Sequence, residues 1–116
     1  MAKQEYRINA DFEAVAKAAG SAGLDSGTTS NAENGSDFAS GDFRCAVRIF
    51  ERYSAFSGSR VSLNVTVAGR DGDVFVSAIT SGGSRAMVFK IDTVGEESFL
   101  EAFHQAFMKN DWEEIK

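Results

Sequence analysis

From Phe43 to Ala78 the chain changes sides at nearly every residue. Phe43, Cys45, Val47, Ile49 and Tyr53 alternate with Arg44, Ala46, Arg48, Phe50 and Arg52. Val61, Leu63, Val65 and Val67 alternate with Ser62, Asn64, Thr66 and Ala68. A period of two is that of a half-buried strand, whose successive side chains point to opposite faces. Val74, Val76 and Ala78 keep the rhythm, and Met87, Phe89 and Ile91 resume it after Gly82-Gly83. The flanks follow a helical period instead. After a short strand at residues 4–8, Phe12, Val15, Ala16 and Ala19 fall at i, i+3, i+4 and i+7. Asn9 is placed to cap this helix, and Gly20 and Gly23 to end it. Near the other end, Thr93-Val94-Gly95-Glu96 matches a capping box ahead of a stripe of Phe99, Ala102, Phe103, Ala106 and Phe107. The stripe drifts through Trp112 to Ile115, which predicts a helix running nearly to the last residue.

Turn chemistry converts this rhythm into strand registers. Asp71-Gly72 is a favoured two-residue hairpin pair, because its geometry requires positive φ. It sets Val67 opposite Val76 and Val65 opposite Ala78. A two-residue turn at Gly82-Gly83 sets Ala78 opposite Met87, Val76 opposite Phe89 and Val74 opposite Ile91. A turn around Ser57 sets Ile49 opposite Val65 and Val47 opposite Val67. Together these put the apolar residues on one continuous face, an agreement that a slip of one residue would break. Residues 25–41 are rich in Ser, Gly, Asn and Thr. They read as a flexible loop or a weak edge strand near Thr28–Ala32, turning at Asn34-Gly35. The whole of residues 1–116 is expected to be one α+β domain of two layers, in the order β-α-β4/5-α. Two helices cover one face of an antiparallel meander of five to six strands.

Composition narrows the function classes. With 116 residues, 43% hydrophobic and 25% charged, the chain resembles an ordinary globular domain. Its net charge of −5 argues against nucleic acid and anionic membrane as partners, since both select excess Lys and Arg. Residues 1–3 lead into polar sequence without an apolar signal core, and no apolar run is long enough for a membrane helix. A cytoplasmic location is therefore expected, and Asn64-Val65-Thr66 is not expected to act as a glycosylation site.

No constellation of reactive groups is evident. Ser81-Gly82-Gly83-Ser84 is followed by a strand pattern rather than the helix that a phosphate loop or a hydrolase elbow needs. Asp25, Glu33 and Asp37 lack the spacing of a calcium loop. Cys45 shares parity with Val47 and Ile49 and reads as a small buried hydrophobe. His104 reads as a boundary residue on the flank of the last helix. No catalytic residue, metal ligand or cofactor is assigned.

The segments "GDFRCAVRIFERYS", "SRVSLNVTVAG", "VFVSAITSGGS" and "GEESFLEAF" resemble a small domain family of unknown function from Gram-positive bacteria, over residues 37–107. The element order is similar to the TATA-binding-protein-like and the helix-grip, START-like architectures. These resemblances imply a fold and no activity. Two non-catalytic functions follow, on opposite faces of the sheet. The favoured one uses the outer face, where the registers above set Arg52 opposite Ser62, Arg48 opposite Thr66, Phe50 opposite Asn64, Ala68 opposite Phe75, Ser77 opposite Val88 and Ile79 opposite Ala86. Arg44, Arg48, Phe50, Arg52, Phe75, Ile79 and Val88 then form a face for a second copy or for an acidic protein partner. The alternative is a small apolar ligand held in a cavity between the sheet and the C-terminal helix, as the START-like resemblance implies.

Overall fold

A computed structural model describes residues 1–26, 31–54, 59–82 and 91–116. The chain runs β1 (Ala2–Ile8), α1 (Phe12–Asp25), β2 (Asn31–Ser40), β3 (Phe43–Ser54), β4 (Ser59–Arg70), β5 (Asp73–Gly82) and α2 (Ile91–Met108). The five strands form one open antiparallel sheet in the order β1-β5-β4-β3-β2, with both helices on the same face. This is the expected α+β architecture. No helix among the described residues is long and apolar enough to cross a membrane.

The β4–β5 hairpin has the register the Asp-Gly pair requires. Val67 pairs with Val76 and Val65 with Ala78, and Gly72 sits at φ +90, where a side chain would be strained. The same turn fixes the start of α1. Asp71 Oδ1 accepts from the Phe12 N–H at 2.9 Å, and the Gly72 N–H donates to the Ala10 carbonyl at 2.9 Å. The cap of α1 is Asp11, whose side chain accepts from the Ala14 N–H, and not Asn9. Asn9 instead bonds Glu113 through its backbone and its amide. Gly20 and Gly23 do not end the helix, which continues to Asp25; Gly23 instead lies against the Phe50 ring, which leaves no room for a side chain there.

Three expected pairings change. First, β5 has β4 on one side and β1 on the other. Val74 therefore faces Ile8, Val76 faces Tyr6 and Ala78 faces Gln4. Ile91 opens α2 rather than facing Val74, while Met87 and Phe89 lie outside the described residues. Second, β3 is shifted by one residue against β4. Ala46 faces Val67, Arg48 faces Val65, Phe50 faces Leu63 and Arg52 faces Val61. With Ser54 opposite Ser59, four residues separate the strands, and an even connection reverses the parity that an odd one would give. Third, Asn34-Gly35 is no turn. It lies inside β2, beside an irregularity between Ala32 and Asn34, and the turn falls at Gly41, φ +60.

The core lies between helices and sheet. Ile8, Val61, Leu63, Val65, Val67, Val74, Val76 and Ala78 line the inner face of the sheet, and all are buried. Against them lie Phe12, Val15 and Ala19 of α1 and Phe99, Phe103 and Phe107 of α2. Each such phenylalanine contributes about 1.5–3 kcal/mol by leaving water. Because α2 begins at Ile91, Thr93 lies within it rather than at its N-cap. Glu96 is buried, accepting from the Gly82 N–H and pairing with the amino group of Met1. At the other end, α2 stops at Met108 instead of continuing. Asp111 takes φ 56, the Trp112 indole N–H donates to the Phe107 carbonyl at 2.9 Å, and the last residues run beside β1. The Ile115 N–H donates to the Arg7 carbonyl at 2.7 Å, so the tail closes that edge of the sheet.

Candidate interaction face

The shift in β3 divides the expected interaction face in two. Phe75 and Ile79 stand on the outer face, as anticipated. Arg44, Arg48, Phe50 and Arg52 share the parity of buried Ala46 and point to the helix side. Val88 lies outside the described residues. Phe50 is core, packed under Gly23. The arginines edge the helix layer and are engaged there. Arg44 pairs with Glu13 at 2.7 Å and lies 4.6 Å over the Phe12 ring. Arg48 pairs with Asp37 at 2.9 Å and donates to the Val47 carbonyl. Arg52 donates to the Ser26 carbonyl at 3.0 Å and lies 4.6 Å over the Phe99 ring. Burial lowers the pKa of Arg52 from its ordinary value. The Arg44 and Arg52 contacts tie β3 to both helices, and the guanidinium planes suit aromatic faces.

The residues of opposite parity, assigned to the core from sequence, build the outer face. Cys45, Val47 and Ile49 are half-buried there, beside the more exposed Phe38 (62%), Tyr53 (57%), Phe75 (40%) and Phe43 (36%). The buried thiol expected at Cys45 is thus a half-exposed one on the helix-free side. Neither β2 nor the C-terminal tail folds across this face. The first is an edge strand, and the second pairs along β1. The signal for these residues was present in the alternation itself. It was the choice between two partly apolar sides of β3 that pointed the wrong way.

Between the apolar groups runs a polar stripe whose hydrogen bonds are made locally. The Ser62 and Ser81 hydroxyls lie 3.0 Å apart, Thr66 donates to Asn64 Oδ1 at 3.1 Å, and Ser77 donates to Glu5 at 3.2 Å. The charges of the face come in opposite pairs near its borders: Arg7 with Asp73 at 2.8 Å, Arg60 with Glu51 at 2.5 Å, and Lys3 with Glu5 at 3.9 Å. A face built this way is close to neutral, although the chain carries −5.

Tyr6 and His104 stack, with the Tyr6 hydroxyl 2.8 Å from His104 Nδ1. Burial, with the charges of Glu114 and Glu101, pushes the Tyr6 phenol well up, which keeps it protonated. Among the described residues no group of His, Cys, Asp and Glu gathers to hold a metal ion. Fully buried Phe99, Phe103 and Phe107 occupy the layer between α2 and the sheet, where the alternative reading placed an apolar ligand. A family model described as a family of unknown function (DUF6054) matches residues 1–111. No curated protein and no solved structure matches the chain.

Proposed function

The chain belongs to that family of unknown function, and we propose, from the geometry alone, that the outer face of its sheet joins two copies of the chain. The observation that carries this reading is an apolar face that neither described helix covers, made of Phe38, Phe43, Cys45, Val47, Ile49, Tyr53, Phe75 and Ile79, with its charges already paired at the borders. A charge-poor centre within a charged rim is the anatomy of an interface. Size supports it too. A sheet of five strands, with strands about 4.8 Å apart and about ten residues long at ~3.3 Å per residue, presents roughly 800 Å². That is about what each partner contributes to a stable complex. A two-fold axis would bring the face against itself, which neutral, locally satisfied polar groups tolerate at small desolvation cost. Docking of an acidic partner would draw on Arg44, Arg48 and Arg52. With those on the other face and engaged, a second copy is the occupant the arrangement favours.

Sedimentation over a wide concentration range tests the proposal. The wild type should associate to a dimer, and Cys45 should react more slowly with a soluble thiol reagent as it does. Phe38→Glu combined with Phe75→Glu should remain monomeric with unchanged circular dichroism. A wild type that stays monomeric at high concentration, or a double variant that dimerises equally well, overturns it.

A further inference from the structure

Most cations of this acidic chain are used internally. Lys3, Arg7, Arg44, Arg48, Arg60 and Arg70 each pair with a carboxylate, and Arg52 is held by carbonyls and the Phe99 ring. Among the described residues, Lys17, Lys109 and Lys116 have no such partner. Two of these three border the same open groove of about 460 Å³, between α1 and the end of α2. Its apolar lining is Ala18, Ala22, Ala106 and Trp112, with Ser21 and Asn110 adding polar groups. The groove lies on the solvent side of the helix layer, away from the sheet's outer face. It is therefore independent of the association proposed above.

We infer that this groove binds a small organic anion, a phosphate or carboxylate carried on a flat apolar body. The two free ammonium groups supply the charge recognition. Neither is spent on an internal pair, so neither interaction must be broken to make the new one. The half-buried Trp112 indole and the lining alanines supply apolar surface for a flat ring. The volume lies within the range of small-molecule sites, about 300–1,000 Å³. A small ligand fits the observations better than a polyanion, because Asp25 lines the groove beside the two lysines and the chain as a whole carries −5. A long anionic chain reaching past the two lysines would meet like charge.

Trp112 is the only tryptophan, so its fluorescence reports on the groove directly. Phenyl phosphate titrated into the full chain should shift that emission saturably, whereas uncharged benzyl alcohol at equal concentration should not. Lys17→Gln with Lys109→Gln should weaken phenyl phosphate binding at least about tenfold, the size of one lost charge-assisted contact. Both lysines are exposed, so folding should be unaffected, as circular dichroism would verify. Lys3→Gln, at the other face, should bind like wild type. Inorganic phosphate should bind more weakly than phenyl phosphate if the ring contributes. Three results would overturn the inference: no saturable shift, equal binding by the double variant, or a response to benzyl alcohol that matches the phosphate's.

Discussion

The two faces of the sheet are made by the same strands one residue out of phase, and they solve different problems. On the inner face, Val61, Leu63, Val65, Val67, Val74 and Val76 are sealed under Phe99, Phe103 and Phe107 of α2 and the Phe12 end of α1. On the outer face, side chains of comparable size stop half-buried or exposed, and the charges beside them are already neutralised. Apolar content alone does not distinguish core from surface here. What separates the faces is whether a helix with matching small and large residues is available to cover them. β3 shows this within one strand. Its inner side carries three arginines yet is the packed side, because Glu13 and the Phe12 ring of α1 meet Arg44, the Ser26 carbonyl and the Phe99 ring of α2 meet Arg52, and Asp37 of β2 meets Arg48.

The contrast is broken most directly by truncating one aromatic on each face. Phe103 is fully buried and stacks on Phe107 with ring centroids 5.5 Å apart. Phe103→Ala should cost about 3–5 kcal/mol, by lost burial plus the cavity left behind. Phe75→Ala, measured where the protein is monomeric, should stay within about 0.5 kcal/mol. Urea unfolding reads both. Equal losses would mean that the outer face is covered within the monomer and that the two sides do not differ.

A second pair of variants asks how closely the helix layer meets β3. A methyl group at Gly23 would overlap the fully buried Phe50 ring, whereas one at Gly20 would meet nothing within 4 Å. Both lie in α1, where alanine is favoured over glycine by about 1 kcal/mol. The local gain is the same, so packing decides the sign. Gly20→Ala should stabilise by about 0.5–1 kcal/mol, and Gly23→Ala should destabilise by about 1–3 kcal/mol. Stabilisation by both would show that Phe50 can yield, and that the inner face at β3 is looser than that at β4.

How far the sequence could be read follows the same division. The β4–β5 hairpin was legible because Asp71-Gly72 admits one tight turn, and because β4 is apolar on one side only. The helices were legible from the spacing of Phe12, Val15 and Ala19 and of Phe99, Phe103 and Phe107. β3 was not. Cys45, Val47 and Ile49 form a more apolar row than Ala46 and Phe50, and nothing local shows that arginines 44, 48 and 52 can lie over aromatic rings from distant helices. The candidate face inherited that error, so among the described residues of the expected set only Phe75 and Ile79 stand on it. The β1–β5 pairing joins residues some seventy positions apart, and no turn between them announces it. The tail is similar. Trp112 and Ile115 continue a helical spacing, but backbone bonds to Arg7 and Asn9 hold the chain extended instead.

The smallest effect concerns the border of the outer face, where Arg7 holds Asp73 by paired hydrogen bonds of 2.8 Å. The hydrogen bond from Arg7, helped by the charges of Arg7 and Arg70, keeps the Asp73 carboxyl below its ordinary value. A carboxylate whose pKa is lower in the folded state contributes stability that is fully present above its unfolded value, about 3.9. That contribution is lost as pH falls through the folded value, so the window lies on the acid side of pH 5. Both side chains are solvent-exposed, and the contribution is accordingly small and screened by salt. The wild-type urea midpoint should fall more steeply between about pH 5 and pH 2 than that of Asp73→Asn. Identical slopes would show that the pair adds nothing in the folded state. The measurement also sharpens the comparison of faces. A second copy lying over the sheet would shield this pair from solvent, so the difference between wild type and variant should grow with protein concentration. On a face that remains open to water, it should not change.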